Sequence, residues 1–242
     1  VRPATLVCAA VLLTGPAVAA HAAEVVVSTG DDTPSAVGPD GSARYDVPWL
    51  AAGDRDVAVS PDGTRMAFTS GRGGGSDVYV ADLGTGAVTR RTATPEPERR
   101  PAWSPDGRTL AWDAAGAAGR RVLVAAADGG PAVPLTGDAV DEAEPTWSPD
   151  GTRVAYTAQA PAGRVLMVRD LAAGRGTAVP LPPGRPSAPA WSPDGARIAL
   201  GIATGSRAHL WTAEPATGRA VRLTRGPVRD AGPEWSPGGR RI

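Results

Sequence analysis

The residues of this chain that could do chemistry are mainly carboxylates, and they recur. Asp54, Glu98, Glu142 and Asp230 each stand six residues before a serine in a repeated pentapeptide, and Pro186 takes the same place in one further copy. Asp141 and Glu144 flank one member of the row. Carboxylates repeated around one structural position would focus negative potential, suited to a cation, a basic peptide segment or a polar ligand. The alternative is local: Asp and Glu bond nearby backbone and shape their loops, and Arg99, Arg100, Arg185 and Arg229 would neutralise much of the field. Both readings stay open at this level. As ligand-binding candidates the row comprises Asp54, Glu98, Asp141, Glu142, Glu144 and Asp230.

Other chemistry finds little support. Beyond the N-terminal segment the one histidine is His209, at a position filled by Asp77, Arg121 and Val165 in the other repeats, which reads as an ordinary edge or surface residue. No Gly-x-Ser-x-Gly elbow occurs. No Cys or His cluster offers a transition-metal site, and Gly71 to Ser76 lacks the Lys and Ser/Thr of a phosphate-binding loop. No catalytic residue, metal or cofactor is expected. With 25 basic and 25 acidic residues the formal charge is zero, so no global field would recruit nucleic acid.

The elements that must position these carboxylates follow from the repeat. Trp103-Ser104-Pro105-Asp106-Gly107 returns at Trp147 to Gly151 and at Trp191 to Gly195, with weaker copies at Val59 to Gly63 and Trp235 to Gly239. The serines stand at 60, 104, 148, 192 and 236, a constant step of 44 residues. In Ser-Pro-Asp-Gly, proline presets φ for a tight turn, Asp bonds its own backbone, and Gly accepts the left-handed conformation that closes it. Alternating strands flank the turn, a third strand lies at Asp77 to Val80 and its equivalents, and a short polar fourth ends near Leu135-Thr136 or Leu223-Thr224. Four strands per ~40–45 residues is the period of a propeller blade. The tryptophans Trp103, Trp147, Trp191 and Trp235 are expected to fill the gap between neighbouring blades instead of stacking on carbohydrate. Each buries roughly 150–250 Å², and stacking is what makes a repeat stable.

The pentapeptide, followed by an Arg-x-hydrophobic-Ala-aromatic strand and a strand such as Asp77-Val78-Tyr79, resembles the WD-like repeat of TolB-type propellers over residues 58 to 242. The resemblance implies an all-β fold: a β-propeller of four-stranded antiparallel blades, with four full repeats and partial blades at both ends. It implies function only loosely, because similar propellers occur in translocation proteins, sugar lyases and prolyl-oligopeptidase-like peptidases. The expected function is a secreted, non-enzymatic scaffold that binds a protein or small ligand through one propeller face, as a monomer. The alternative is the propeller of a truncated enzyme, either such a peptidase or a lyase.

Residues 1–23 read as a secretory signal: Arg2, an apolar stretch from Leu6 to Val18, and small residues toward Ala22 and Ala23. The single cysteine, Cys8, lies within it. The expected place is therefore secreted or in the cell envelope, with no membrane span after cleavage; the alternative is a retained anchor. Residues 24–57 read as a partial N-terminal blade, with Asp40-Gly41 standing 20 residues before Ser60. The expectation is an incomplete propeller, a fragment of a longer one; a ring closed by the two end segments is the alternative.

Overall fold

The computed structural model describes residues 5–11, 23–29, 35–37, 44–47, 49–117, 119–136, 141–227 and 229–242. Among them there are strands and turns and no helix. Two short antiparallel pairs come first: β1 (Thr5–Val11) with β2 (Ala23–Thr29), and β3 (Ser35–Val37) with β4 (Arg44–Asp46). Thus part of the stretch read as a leader is paired strand. The Ala22 side of the cleavage site and the Asp40-Gly41 turn lie outside the described residues.

Four four-stranded sheets follow. The first holds β5 (Arg55–Val59), β6 (Arg65–Ser70), β7 (Asp77–Asp82) and β8 (Val88–Arg90). The second holds β9 (Glu98–Trp103), β10 (Thr109–Gly116), β11 (Gly119–Ala126) and β12 (Val133–Pro134). The third holds β13 (Ala143–Trp147), β14 (Arg153–Ala160), β15 (Gly163–Asp170) and β16 (Arg175–Val179). The fourth holds β17 (Arg185–Trp191), β18 (Ile198–Thr204), β19 (Arg207–Ala213) and β20 (Ala220–Arg222). In each sheet spatial order follows sequence order, the meander of a propeller blade. The chain divides into two compact units. One comprises Val1–Ala115 with Val124–Val133, the other Gly116–Leu123 with Pro134–Ile242.

The repeated turn forms as its residue types require. The motif serine hydroxyl donates to the aspartate two residues on, and accepts the backbone N–H five residues on at 2.9 Å in the first four copies. The aspartate also accepts the N–H two residues beyond itself, at 3.0–3.1 Å. Glycines 63, 107, 151, 195 and 239 all have φ between 65° and 71°. The fifth copy, with Gly238 in place of Asp, still closes through Ser236 and Arg241. Hydrogen bonds to the charged form hold the Asp62 and Asp150 carboxyls down at about 2, chiefly through Ser60 and Ser148. Asp106 and Asp194 are lowered for the same reason.

Within each unit the indoles join successive blades. In the first, the Arg65 guanidinium lies 4.7 Å from the Trp103 ring centroid and donates to the Gly107 carbonyl at 2.6 Å, while Trp103 Nε1 donates to the Ala58 carbonyl at 3.0 Å. In the second, Arg153 covers Trp191 at 4.7 Å and Arg197 covers Trp235 at 4.9 Å. Trp235 Nε1 donates to the Ala190 carbonyl at 3.0 Å, whereas Trp191 Nε1 has no acceptor. Separate apolar cores lie beneath. Val47, Leu50, Val57, Met66, Phe68 and Tyr79 cluster in the first unit; Leu166, Val179, Trp191, Ile198, Leu200 and Ile202 cluster in the second.

Candidate functional site

The acidic row sits in or just before the first strand of each blade, and three of its six members are buried. Asp54, Glu98 and Glu142 are 3%, 0% and 4% exposed. A buried carboxylate must find donors or give up its charge, and each does so locally. Asp54 accepts the Ala51 N–H at 2.8 Å and forms an ion pair with Arg72. Glu142 accepts the Thr136 hydroxyl, six residues upstream. Glu98 accepts the Thr94 hydroxyl at 3.1 Å through Oε1, while Oε2 is buried without a partner. Burial accordingly pushes the Glu98 carboxyl above the usual carboxylate range, with the Asp77 charge acting in the same direction. Asp77 is itself wholly buried, paired through Oδ2 with Arg90 at 2.8 Å.

The backbone explains this orientation. Four residues before each motif serine the chain adopts a left-handed conformation whatever the side chain: Asp56 (φ 54°), Arg100 (55°), Glu144 (60°), Ala188 (49°) and Gly232 (64°). The pairing register of β5, β13 and β17 slips at the same place, a bulge that turns the preceding segment. The bulges of successive blades are joined. Asp56 accepts the Arg100 N–H at 3.4 Å in the first unit, and Glu144 accepts the Ala188 N–H at 3.2 Å in the second.

Asp141 and Glu144 are brought into one network in the second unit. Arg164 reaches Asp141 at 3.2 Å and the Thr157 hydroxyl at 2.9 Å, and that hydroxyl lies 3.0 Å from Glu144. The side chain of Asp141 is 43% exposed and that of Arg164 15%. In the first unit Arg100 and the wholly buried Asp113, one repeat before Glu144 and Thr157, form an ion pair at 3.0 Å. Asp230 is half-buried, and its N–H donates to the Ala208 carbonyl at 3.0 Å. His209 sits in β19 opposite Ile202, with Nδ1 buried and unpartnered. Among the described residues no cluster of three or more His, Cys, Asp or Glu could hold a metal ion.

Arg72, Arg164, Thr157 and the Arg100–Asp113 pair are missed by motif reading, because they lie in the second and third strands or outside the repeated pentapeptide. Register gives a signal for two of them alone: Asp113 and Thr157, like Thr69, stand nine residues after a motif serine.

Against known proteins, residues 115–242 match the family described as the TolB beta propeller domain. A 57-residue stretch is 44% identical to a protein TolB homolog of Chlorobium luteolum, covering 24% of this chain and 13% of that protein. Among solved structures the fold is similar to TolB from Acinetobacter baumannii, with a TM-score of 0.75 at 22% identity over 86% of this chain. It is also similar to a Mycobacterium tuberculosis puromycin-hydrolyzing peptidase, with a TM-score of 0.65 at 19% identity over 83% of this chain. The matched region spans 52% of the former structure and 34% of the latter, so the chain corresponds to about half of one and a third of the other. With a family match over more than half of its 242 residues and four meander sheets of the propeller kind, the chain belongs to the TolB β-propeller family.

Proposed function

We propose that the chain is an extracytoplasmic, non-enzymatic scaffold that binds a protein partner through the loops preceding the first strand of each blade. The observation that carries this reading is the state of the acidic row. Asp54, Glu98 and Glu142 are buried and committed to Arg72, Thr94 and Thr136. A general acid or base must reach a substrate proton; these groups instead hold loops in shape from beneath. Asp141, Glu144 and Asp230 are only half-buried, and Asp141, paired with Arg164 on one side, keeps 43% of its side chain open to a partner's N–H groups or basic side chains. Membership of the TolB family favours the same reading and an envelope location, with residues 1–23 as a cleaved leader.

Photo-crosslinking side chains at Asp141, Glu144 and Asp230 test it, with Thr85 and Thr217 in turns elsewhere on the blades as controls. The proposal expects adducts with one protein from the loop positions alone. Equal labelling from the control positions, or cleavage of peptide or oligogalacturonide substrates by the purified chain, would overturn it.

A further inference from the structure

The outer edge of the third blade is open where those of the other blades are guarded. In every blade the fourth strand is the end strand of its sheet. The residue that closes it donates its N–H inward: Arg91 to the Val78 carbonyl, Leu135 to Val122 and Leu223 to Leu210, at 2.8–2.9 Å. Val179 is their equivalent in the third blade and stands opposite Leu166 of β15. Inward and outward bonding alternate along an antiparallel end strand. Thr177 and Arg175 therefore also bond β15, and the N–H and C=O groups of Gly176 and Ala178 point away from the sheet.

An edge that offers such groups is a template for a further strand, and proteins block it with proline or with charge. The other three blades do so at one and the same place. Pro134 has no N–H to offer. Arg90 and Arg222 fold back along their own edges, each Nε donating at 2.8 Å to the carbonyl two residues on, that of Thr92 or Thr224. Counting by the repeat of 44, the residue at this place in the third blade is Ala178, which can do neither. β16 is also the longest of the four outer strands, with 5 residues against 3, 2 and 3, and Arg175, Gly176, Thr177 and Ala178 are all exposed. Pro180 ends the open stretch.

The surroundings decide what fits. On the face of Arg175, Thr177 and Val179 lies a cavity of about 220 Å³, walled by Val168, Val179 and Pro215 and lined also by Arg175 and Asp170, all within the second unit. Ligand pockets run to ~300–1,000 Å³, so this one suits a single side chain. Asp170, opposite Arg175 in the register, turns to the Ala173 N–H at 2.7 Å, and Arg175 makes no ion pair among the described residues. On the other face Gly176 and Ala178 carry nothing larger than a methyl. A Cβ at Gly176 would stand 3.3 Å from the Met167 methyl, so that methyl lies over the glycine and meets an apolar guest. A second copy offering its own β16 would bring only Thr177 to the cavity, too short to fill it. We infer that the edge of β16 takes an extended segment of a partner protein as a fifth strand, antiparallel as the more stable pairing, with apolar and acidic residues in alternation. Main-chain hydrogen bonds to Gly176 and Ala178 hold the segment; its apolar side chains cover that face, and its acidic ones meet Arg175 beside the cavity.

The test titrates the full chain by NMR with the acetylated, amidated peptide Thr-Leu-Glu-Leu-Glu-Leu-Thr, the same peptide N-methylated at its leucines, and a version with lysine for glutamate. The parent peptide is expected to bind and to slow hydrogen exchange at the Gly176 and Ala178 amides. The lysine version should bind about fivefold or more weakly, since a favourable cross-strand charge pair becomes a repulsive one, and the N-methylated version, which cannot donate to the edge, should not bind. Ala178→Pro and Ala178→Arg copy what this chain carries at the same place in its other blades, and each should abolish or strongly weaken binding at an unchanged thermal midpoint; should the proline variant fail to fold, the arginine variant decides. Absence of binding by the parent peptide, equal binding by the N-methylated one, unchanged exchange at Gly176 and Ala178, or undiminished binding by the folded variants would each overturn the inference. Sedimentation that showed the chain pairing with itself, with those two amides protected in the absence of peptide, would give the edge to a second copy and overturn it as well. Neither the edge nor the cavity involves Asp141, Glu144 or Asp230, so a lack of partner adducts at those loops would reject the scaffold reading and leave this site standing.

Discussion

Removing the charge that Arg153 places over Trp191 tests the forces joining one blade to the next. The indole is 7% exposed and belongs to the core of the second unit, while the guanidinium carbon stands 4.7 Å from its centroid and one amino group 3.4 Å from the Gly195 carbonyl. Arg153→Met keeps most of the stem packing and deletes the cation. With a cation–π interaction of ~0.5–1 kcal/mol at a partly exposed site and a long hydrogen bond worth ~0.5, the loss should be about 1–1.5 kcal/mol. Trp191→Leu removes roughly 100 Å² of buried apolar surface, ~2.5 kcal/mol at 25 cal/mol per Å², before any cavity left behind. The double variant should then fall short of the sum by about 0.5–1 kcal/mol, the part the pair holds in common. Equilibrium urea unfolding followed by far-UV circular dichroism measures all four proteins. Strict additivity, within ~0.3 kcal/mol, would refute the claim that the arginine acts through the ring.

Further outcomes follow from the same geometry. Gly63, at φ 71° with nothing within 4 Å of a Cβ, should lose about 1–2 kcal/mol on Gly63→Ala from backbone strain alone, read as a lowered urea midpoint. Conversely Ala188→Gly, at φ 49° where the next repeat already carries Gly232, should be neutral or raise stability by up to about 1 kcal/mol; a clear loss would show that the Ala188 side chain matters to the bulge. Asp62 and Asp150 ionise in the folded chain at about 2, below the 3.8 of a free aspartate. Their contribution is therefore complete above about pH 4 and disappears as pH falls toward 2, so the acid unfolding of Asp62→Asn/Asp150→Asn should be shallower through that window than that of the parent. Glu98 is held by the neutral Thr94 hydroxyl and Asp54 by a guanidinium, so Glu98→Gln should lower stability less than Asp54→Asn, which leaves Arg72 without its carboxylate partner.

How much of this was legible beforehand differs by level. The four-stranded blades follow from a pentapeptide whose every residue has a mechanical reason, and the five motif glycines share one left-handed conformation as a result. The third strands at Asp77, Arg121, Val165 and His209 lie where alternation places them. The role of the indoles was legible too, since Trp103 and Trp191 are buried between blades, although the arginine that covers each ring lies 38 residues upstream and carries no local signal. The bulge was invisible because Asp56, Arg100, Glu144, Ala188 and Gly232 have nothing in common as residue types; the backbone pairing imposes the conformation and the side chains tolerate it. The acidic row could be located but not oriented. Period-2 alternation fails at a bulge, and the donors that hold the carboxylates are an arginine 18 residues downstream for Asp54 and threonines four and six residues upstream for Glu98 and Glu142.

The most direct test of the binding role compares two triple variants, Asp141→Asn/Glu144→Gln/Asp230→Asn and Asp54→Asn/Glu98→Gln/Glu142→Gln, for partner adducts from a crosslinker at Arg185 and for thermal midpoint. Lost adducts at an unchanged midpoint in the first, and a lowered midpoint in the second, are the expected pair of results. Undiminished adducts in the first triple would contradict the assignment of these loops as the binding face.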